Sequence, residues 1–520
     1  MKKKYSYVAN GKTVEREYNY IPVRYIIAIL ITVVEIAAII GIVIAFCYYI
    51  PYFYILAWAT EIGVVVSIAA SDDNPDYKIP WLLCVICIPI GGFMLYFLFY
   101  NRRLQPKFVK RLKQLGDTPA PADDASLFDR LEEENRTVSN QARMLCHIAD
   151  THLYTDTAQT YFPSGRQMFD SMLCDLANAE KFIYMEYFIV EEGLFWNSIL
   201  DILRKKAKAG VEVRILYDDV GCMTTLPGDY CLTLKRDCIN AVPFSRLRGN
   251  ADSEFNNRSH RKILVIDGKV GYTGGVNIAD EYIGEVIRFG HWKDTGIRLS
   301  GEAVWELTRL FLCDWGINVR RLPEVRSDLY PACENTAPGY LIPFGDGPSP
   351  IYRRRIGKSV IQNMLYGAQR SVIMTSPYLI IDNDLCQDIE NTAMRGVNVK
   401  IIVPHIPDKK IVFGMTRSYY SRLMDAGVEI YEYEPGFIHA KSYLVDDELA
   451  MIGTINLDYR SLVHHFENGV WMYRCEAVRA LRKDLDDTLG CSIRVTRDML
   501  KMSVFRRAFR SVVRIFAPLL

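Results

Sequence analysis

The sequence predicts an α/β protein built from two tandem α/β/α sandwich domains with pseudo-twofold symmetry, preceded by an N-terminal helical membrane region. Three observations predict it. Long uncharged stretches are confined to the first 101 residues. After them, β-branched and aromatic runs alternate with amphipathic stretches, the pattern of α/β architecture. One ordered series of short words then occurs twice.

The N-terminal part comes first. Residues 1–22 read as a basic tail carrying Lys2, Lys3 and Lys4. Residues 23–101 read as a transmembrane region of two or three helices. Between Tyr25 and Ser71 the only charges are Glu35 and Glu61, and between Ile79 and Asn101 there are none. A span needs about 20 apolar residues, and the segments 25–49, 52–70 and 79–100 each approach that. The first is too long for the apolar region of a cleaved signal peptide. Pro51, within "CYYIPYFYILAW", suggests a tight hairpin among interfacial aromatics. A denser basic cluster follows the region: Arg102, Arg103, Lys107, Lys110, Arg111 and Lys113. The positive-inside rule draws both basic flanks to the cytoplasm. Three full spans would separate them, so either one segment is re-entrant or one flank misleads. The denser cluster places the larger C-terminal part in the cytoplasm, on a multi-pass cell-membrane protein. Residues 102–140 read as a basic and Pro-rich linker, with "LGDTPAPADDASL" at 115–127.

The repeat follows. "HRKILVID" with Gly274 and Asn277 is matched by "HAKSYLVD" with Gly453 and Asn456. His260, Lys262 and Asp267 have the spacing of His439, Lys441 and Asp446, and each asparagine follows its histidine by 17 residues. Upstream, "AKAGVEVRIL" (207–216) matches "AMRGVNVKII" (393–402), and "YMEYFIV" (184–190) matches "TSPYLII" (375–381). The two copies define a first domain at 141–330 and a second at 331–500. Such copies pack about a pseudo-twofold axis, which brings equivalent strands together.

The residue types at this spacing carry a chemistry. Residues i and i+2 of a strand share a face, so His and Lys project together from a rigid element. A histidine serves as nucleophile or proton donor near neutral pH. A lysine and an asparagine amide stabilise an anionic oxygen. Two histidines, two lysines (Lys262, Lys441) and two asparagines (Asn277, Asn456) suit transfer of a phosphodiester through a phosphohistidine. His-x-Lys is not a metal-ligand pattern, so neither a metal nor another cofactor is expected. Asp267 and Asp446 complete the repeated motif and count among its catalytic set. Each stands at a strand end leading into a turn, where holding loop backbone is the favoured role. The net charge of +1 offers no general attraction for nucleic acid.

These paired motifs resemble those of the phospholipase D superfamily. The words "NPDYKIPWLL", "SPYLIIDNDL", "NLDYRSL", "FENGV" and the terminal "APLL" are similar to its bacterial cardiolipin synthases. The likeness implies phospholipase D-like domains and a membrane phosphatidyltransferase that joins two phosphatidylglycerol molecules into cardiolipin and releases glycerol. A hydrolase, or a transferase with another alcohol acceptor, shares the motifs. The likeness makes His260 the nucleophile and His439 the acid/base, an assignment that near-symmetry leaves reversible. It also implies an acidic residue after each asparagine that orients a histidine: Glu467, and Asp294 at a different spacing. Anionic phospholipids and the bilayer are the implied partners. Residues 501–520, with Arg506, Arg510 and Arg514 on one helical face, read as a basic amphipathic segment that either lies on anionic lipid or docks on the core.

Overall fold

A computed structural model describes residues 51–71, 74–88, 91–99, 125–246, 257–319, 337–349 and 354–501, with two N-terminal strands and scattered residues elsewhere. Each half of the chain builds one mixed sheet. The first sheet has seven strands, in the order Ala158–Phe162, Gly296–Ser300, Val270–Gly274, Lys262–Ile266, Phe182–Tyr187, Glu212–Asp218, Asn240–Phe244. The second repeats that order and adds an eighth strand: Tyr340–Asp346, Glu467–Tyr473, Leu449–Gly453, Ser442–Val445, Ser371–Thr375, Asn398–Pro404, Glu429–Tyr433, Ser492–Arg494. In both sheets the three strands beyond the motif strand run parallel to one another, and the motif strand pairs antiparallel to both neighbours. The duplicated words therefore fold as duplicated topology.

Continuous apolar runs in the central strands bury both sheet faces, as parallel pairing requires. One apolar cluster packs helices Gly165–Ala177 and Leu194–Lys208 on the outer face of the first sheet. Another packs helices Ile356–Gly367, Asn383–Met394 and Lys410–Asp425 on the outer face of the second. A third lies between the halves and mixes Ile263 and Val265 with Leu444, Ala450 and Ile452. Helix Val304–Asn318 is buried on nearly every side, its Glu306 and Asp314 included, and fills this middle layer.

Three boundary expectations change. The expected basic tail carries an antiparallel pair of strands, Lys2–Ala9 with Lys12–Asn19. Asn10-Gly11, a dipeptide that favours hairpin turns, stands between them in the sequence. Within the expected linker, residues 125–140 are helical, in Ala125–Glu134 and the start of Arg136–Ala149. Val138, Ala142, Leu145 and Ala149 recur at helical spacing and bury against Ile342, Val360, Met364 and Leu365. This pair of helices thus belongs to the core of the second domain, although it precedes the first in sequence. The 79–100 stretch is two helices, Pro75–Cys87 and Gly91–Phe99, and not one span. Gly92 sits where a Cβ would collide with the Cys84 carbonyl, so the second helix doubles back tightly on the first. Pro51 is the first residue of helix Pro51–Ala70, where its missing N–H costs nothing; any hairpin before it, like most of 25–49, lies outside the described residues. Among the described residues no helix is long and apolar enough to cross a membrane.

The turn between the first two of these helices docks on the second domain. Asn74 Nδ2 donates to Asp382 and Asp384, both at 3.1 Å. Asp76 accepts from Asn383 N at 2.8 Å and from Tyr459 Oη at 3.1 Å. Tyr77 is fully buried, edge-on to Tyr459. At the other terminus, Arg514 lies over the Tyr419 ring at 4.2 Å and Ala517 enters the same core. That end docks on protein. Arg506 and Arg510 lie outside the described residues.

Candidate active site

The two motif strands meet at the boundary between the halves, and each is joined to the opposite half. His260 N donates to Phe466 O at 2.8 Å, and the next residue, Glu467, accepts from His260 Nδ1 at 2.9 Å. Reciprocally, His439 N donates to Lys293 O at 2.7 Å, and the next residue, Asp294, accepts from His439 Nδ1 at 2.6 Å. The orienting acids are therefore exchanged: each histidine is held by the other half's carboxylate. With Nδ1–H committed to a carboxylate, each ring keeps its Nε2 lone pair for the site. Two further contacts fasten the halves beside the motifs. Asn468 Nδ2 donates to Thr273 Oγ1 at 2.7 Å, and Thr295 Oγ1 meets Ser442 Oγ at 3.1 Å.

The histidines, lysines and carboxylates are all buried. Burial pushes His260 down to about 3, against the opposing pull of Glu467. Burial and the Lys441 ammonium push His439 down to about 4, against Asp294. Both imidazoles are consequently neutral in the unliganded site at pH 7. Burial alone would raise the two acids, but the charge and hydrogen bonds of their histidines hold both below the usual carboxylate range. Burial lowers both lysines, Lys441 to about 8. Lys262 feels the charges of Glu467, Lys441 and Asp294 together, which places groups from both motifs in one electrostatic pocket. Each lysine also donates to its own histidine's carbonyl, Lys262 at 2.6 Å. That contact holds the ammonium beside the ring.

The asparagines are positioned differently. Asn277 Oδ1 accepts from Ile189 N at 3.1 Å, and its Nδ2 donates to Tyr282 Oη at 2.7 Å. One amide hydrogen remains uncommitted among the described residues. Asn456 has its backbone N–H bonded to Ser461 Oγ at 2.8 Å, while its Oδ1 is buried without a described partner.

Asp267 and Asp446 stand apart from this cluster, at the far ends of the motif strands. Five residues of strand separate each from its lysine, about 16 Å at ~3.3 Å per residue. Asp267 accepts from the backbone N–H groups of Glu180, Lys181 and Phe182 at 2.7–2.8 Å. Asp446 accepts from Gln369, Arg370 and Ser371 at 2.6–2.9 Å. Both adopt left-handed φ, 53° and 52°. They clamp the helix-to-strand loop of each half, so their place in a catalytic set is corrected to a structural one. Nothing in their geometry reaches the histidines.

Sequence reasoning missed the ring-bearing walls. His260 lies 5.2 Å from the Phe188 ring and 5.5 Å from His465. His439 lies 5.4 Å from Tyr282 and 5.6 Å from Trp292. The signal was available: His291-Trp292-Lys293-Asp294 runs in step with His464-His465-Phe466-Glu467, so Trp292 and His465 are equivalent positions. The missed support includes Ser461 and Thr454, which both donate to Glu467. Arg258 bonds Asp218 at 3.0 Å, and Arg261 bonds Asp314 at 2.6 Å; these pairs lock the backbone on either side of His260.

The family described as "Cardiolipin synthase, PLD-like domain" matches residues 172–286 and 361–489, one match per sheet and each containing a His-x-Lys strand. A cardiolipin synthase of Halalkalibacterium halodurans is 34% identical over 483 residues, which is 90% of this chain and 94% of that protein. The chain belongs to the phospholipase D-type cardiolipin synthase family. Residues 54–99 also match a family described as "Phospholipase_D-nuclease N-terminal", so the likeness reaches into the N-terminal helices. A protein of Streptococcus mutans is 40% identical over 468 residues, 88% of this chain and all of that protein. Among solved structures, phosphatidylserine synthase of Haemophilus influenzae shares the fold, with a TM-score of 0.56 at 16% identity over 74% of this chain and 98% of that one.

Proposed function

We propose that the chain is a phosphatidyltransferase that converts two phosphatidylglycerol molecules into cardiolipin and glycerol. The observation that carries this reading is the crossed pair of carboxylate-held histidines around two buried lysines, in a chain similar over nine-tenths of its length to a cardiolipin synthase. His260 Nε2 attacks phosphorus of the first lipid and the bond to the glycerol headgroup breaks. His439 Nε2–H protonates the departing glycerol oxygen. Neutral His439 then takes a proton from a hydroxyl of the second phosphatidylglycerol. That oxygen attacks phosphorus and releases His260. Lys262, Lys441, Asn277 and Asn456 stabilise the equatorial oxygens. The entering phosphodiester anion raises the depressed pKa values of His439 and both lysines, so the proton needed for the first step is favoured by substrate itself.

Attachment to a lipid surface fits the N-terminal helices. Ile55, Leu56, Trp58, Val66, Ile86 and Phe97 are all exposed there, an apolar surface that water does not favour. The docked turn at Asn74–Tyr77 ties these helices to the segment after Asn456, a connection that supports a site held near the bilayer; the basic cluster at 102–113 supports a cytoplasmic side for the catalytic domains. A second lipid is then present at high effective concentration, which favours transfer over hydrolysis. Detergent-purified protein supplied with phosphatidylglycerol vesicles is expected to yield cardiolipin and glycerol by mass spectrometry. Phosphatidate as the sole lipid product would overturn the transferase reading.

A further inference from the structure

The two histidines sit in matched frames, but one frame contains a third nitrogen donor. His465 Nδ1 lies 3.6 Å from Glu467 Oε1, at ion-pair distance, and this buried atom makes no hydrogen bond among the described residues. Glu467 in turn lies 2.9 Å from His260 Nδ1. One donor atom from each of His260, His465 and Glu467 fits within 4.8 Å of the others. A tetrahedral zinc ion with bonds of about 2.0–2.1 Å sets its donors about 3.3 Å apart, so small side-chain movements close this set around an ion. Two imidazoles and a carboxylate form a donor set that zinc favours. Ser461 and Thr454 already bond Glu467 from behind, as the outer shell of a metal site does. At the equivalent position of the other half stands Trp292, whose indole cannot ligate.

We propose that a zinc-type divalent ion binds His260, His465 and Glu467 and acts as a dead-end inhibitor of the transferase. The ion takes the Nδ1 lone pairs of both imidazoles and one oxygen of Glu467. The single ring proton of neutral His260 moves from Nδ1 to Nε2 by way of solvent, so the ring changes tautomer and its lone pair toward phosphorus is lost. Inhibition, unlike binding, rests on the reading of His260 as a catalytic residue. Spacing along the chain hides this site, because His465 and Glu467 belong to one half and His260 to the other.

The test uses full-length protein in detergent, stripped with a chelator. Cobalt(II) is added as a spectroscopic substitute, and zinc is titrated against cardiolipin synthesis. Wild type is expected to show the visible absorption of low-coordinate cobalt at one equivalent, and to lose turnover with zinc. His465→Gln is expected to lose the cobalt band and to need at least tenfold more zinc for half-inhibition, relative to its own basal rate. Should His465→Gln turn over poorly, the cobalt titration decides alone. A wild type without the band, or a band unchanged in His465→Gln, overturns the site. A band that depends on His465, together with turnover that ignores zinc, overturns the inhibitory role and the catalytic reading of His260 while the metal site stands.

Discussion

The first motif's histidine is walled by a phenylalanine and a second histidine, whereas the second motif's histidine is walled by tyrosine, tryptophan and Phe437. The backbone frames are the same: a strand pair to the other half, then a carboxylate on Nδ1. Duplication thus preserves what positions a ring, and the walls decide what each ring can do. Around His260 the wall adds a second imidazole beside a carboxylate that accepts from three groups, His260, Thr454 and Ser461. Around His439 the wall is aromatic, the carboxylate is a shorter aspartate, and Lys441 Nζ approaches the ring at 2.8 Å. The halves are alike in geometry and unlike in chemistry.

The comparison is broken most directly at the histidines. His260→Ala and His439→Ala are each expected to reduce cardiolipin synthesis by at least about 10³-fold, since each removes a group that forms or breaks bonds. They are expected to differ with a phosphatidyl ester of p-nitrophenol, whose leaving group needs no proton. His439→Ala should still release a burst of nitrophenolate equal to the enzyme concentration, and His260→Ala should release none. A burst in His260→Ala alone would reverse the assignment of roles.

Smaller losses test the crossed carboxylates. Glu467→Gln and Asp294→Asn are each expected to lower kcat by about 10- to 100-fold with little change in the lipid KM, because each disturbs the ring tautomer of the opposite half. Combining Glu467→Gln with His260→Ala should add almost nothing, whereas Glu467→Gln with Asp294→Asn should compound. An additive Glu467–His260 pair would refute the crossed arrangement.

Stability separates the motif aspartates from the rest. Asp267→Ala and Asp446→Ala each leave three backbone N–H groups without their acceptor. Each is expected to cost about 2–4 kcal/mol in denaturant unfolding, while the folded fraction keeps most of its specific activity. An inactive but fully stable Asp267→Ala would place the residue back among the catalytic groups.

The smallest effect concerns pH. The folded-state pKa of His439 lies near 4, below its unfolded value of about 6.5. Between these values the unfolded chain binds more protons, so this contribution to stability is full above about pH 6.5 and is lost as pH falls toward 4. The slope is at most about 1.4 kcal/mol per unit for one group. Thermal melts from pH 7.5 to 5 are expected to show a shallower decline in His439→Phe than in wild type. Equal slopes would remove His439 from the groups that titrate on unfolding.

Much of the fold was readable because it is written twice. The words at 207–216 and 393–402 enter equivalent strands of the two sheets, whereas of those at 184–190 and 375–381 the first lies largely within strand Phe182–Tyr187 and the second mostly follows strand Ser371–Thr375. The His-x-Lys strands and the loop-holding role of Asp267 and Asp446 were accessible from spacing and turn position, whereas Glu467 and Asp294 were expected as orienting acids only through the family resemblance. Helices Ala125–Glu134 and Arg136–Ala149 were not, because a polar, Pro-rich approach masked their periodic apolar face until its partners in the second domain were known. The split of the 79–100 stretch was hidden for a similar reason: an apolar run reports length, whereas the close packing at Gly92 reports the bend.

By itself the sequence determined the repeated α/β units, the two histidines and lysines, and the residue types able to hold a phosphodiester, since strand periodicity and side-chain chemistry are local properties. Tertiary structure alone decided that each carboxylate serves the opposite histidine and that His465 faces His260 where Trp292 faces His439. These contacts join residues 145 and 207 positions apart in the chain. No local pattern can specify which of two similar strands a residue will meet; packing of the two sheets about their shared core makes that choice.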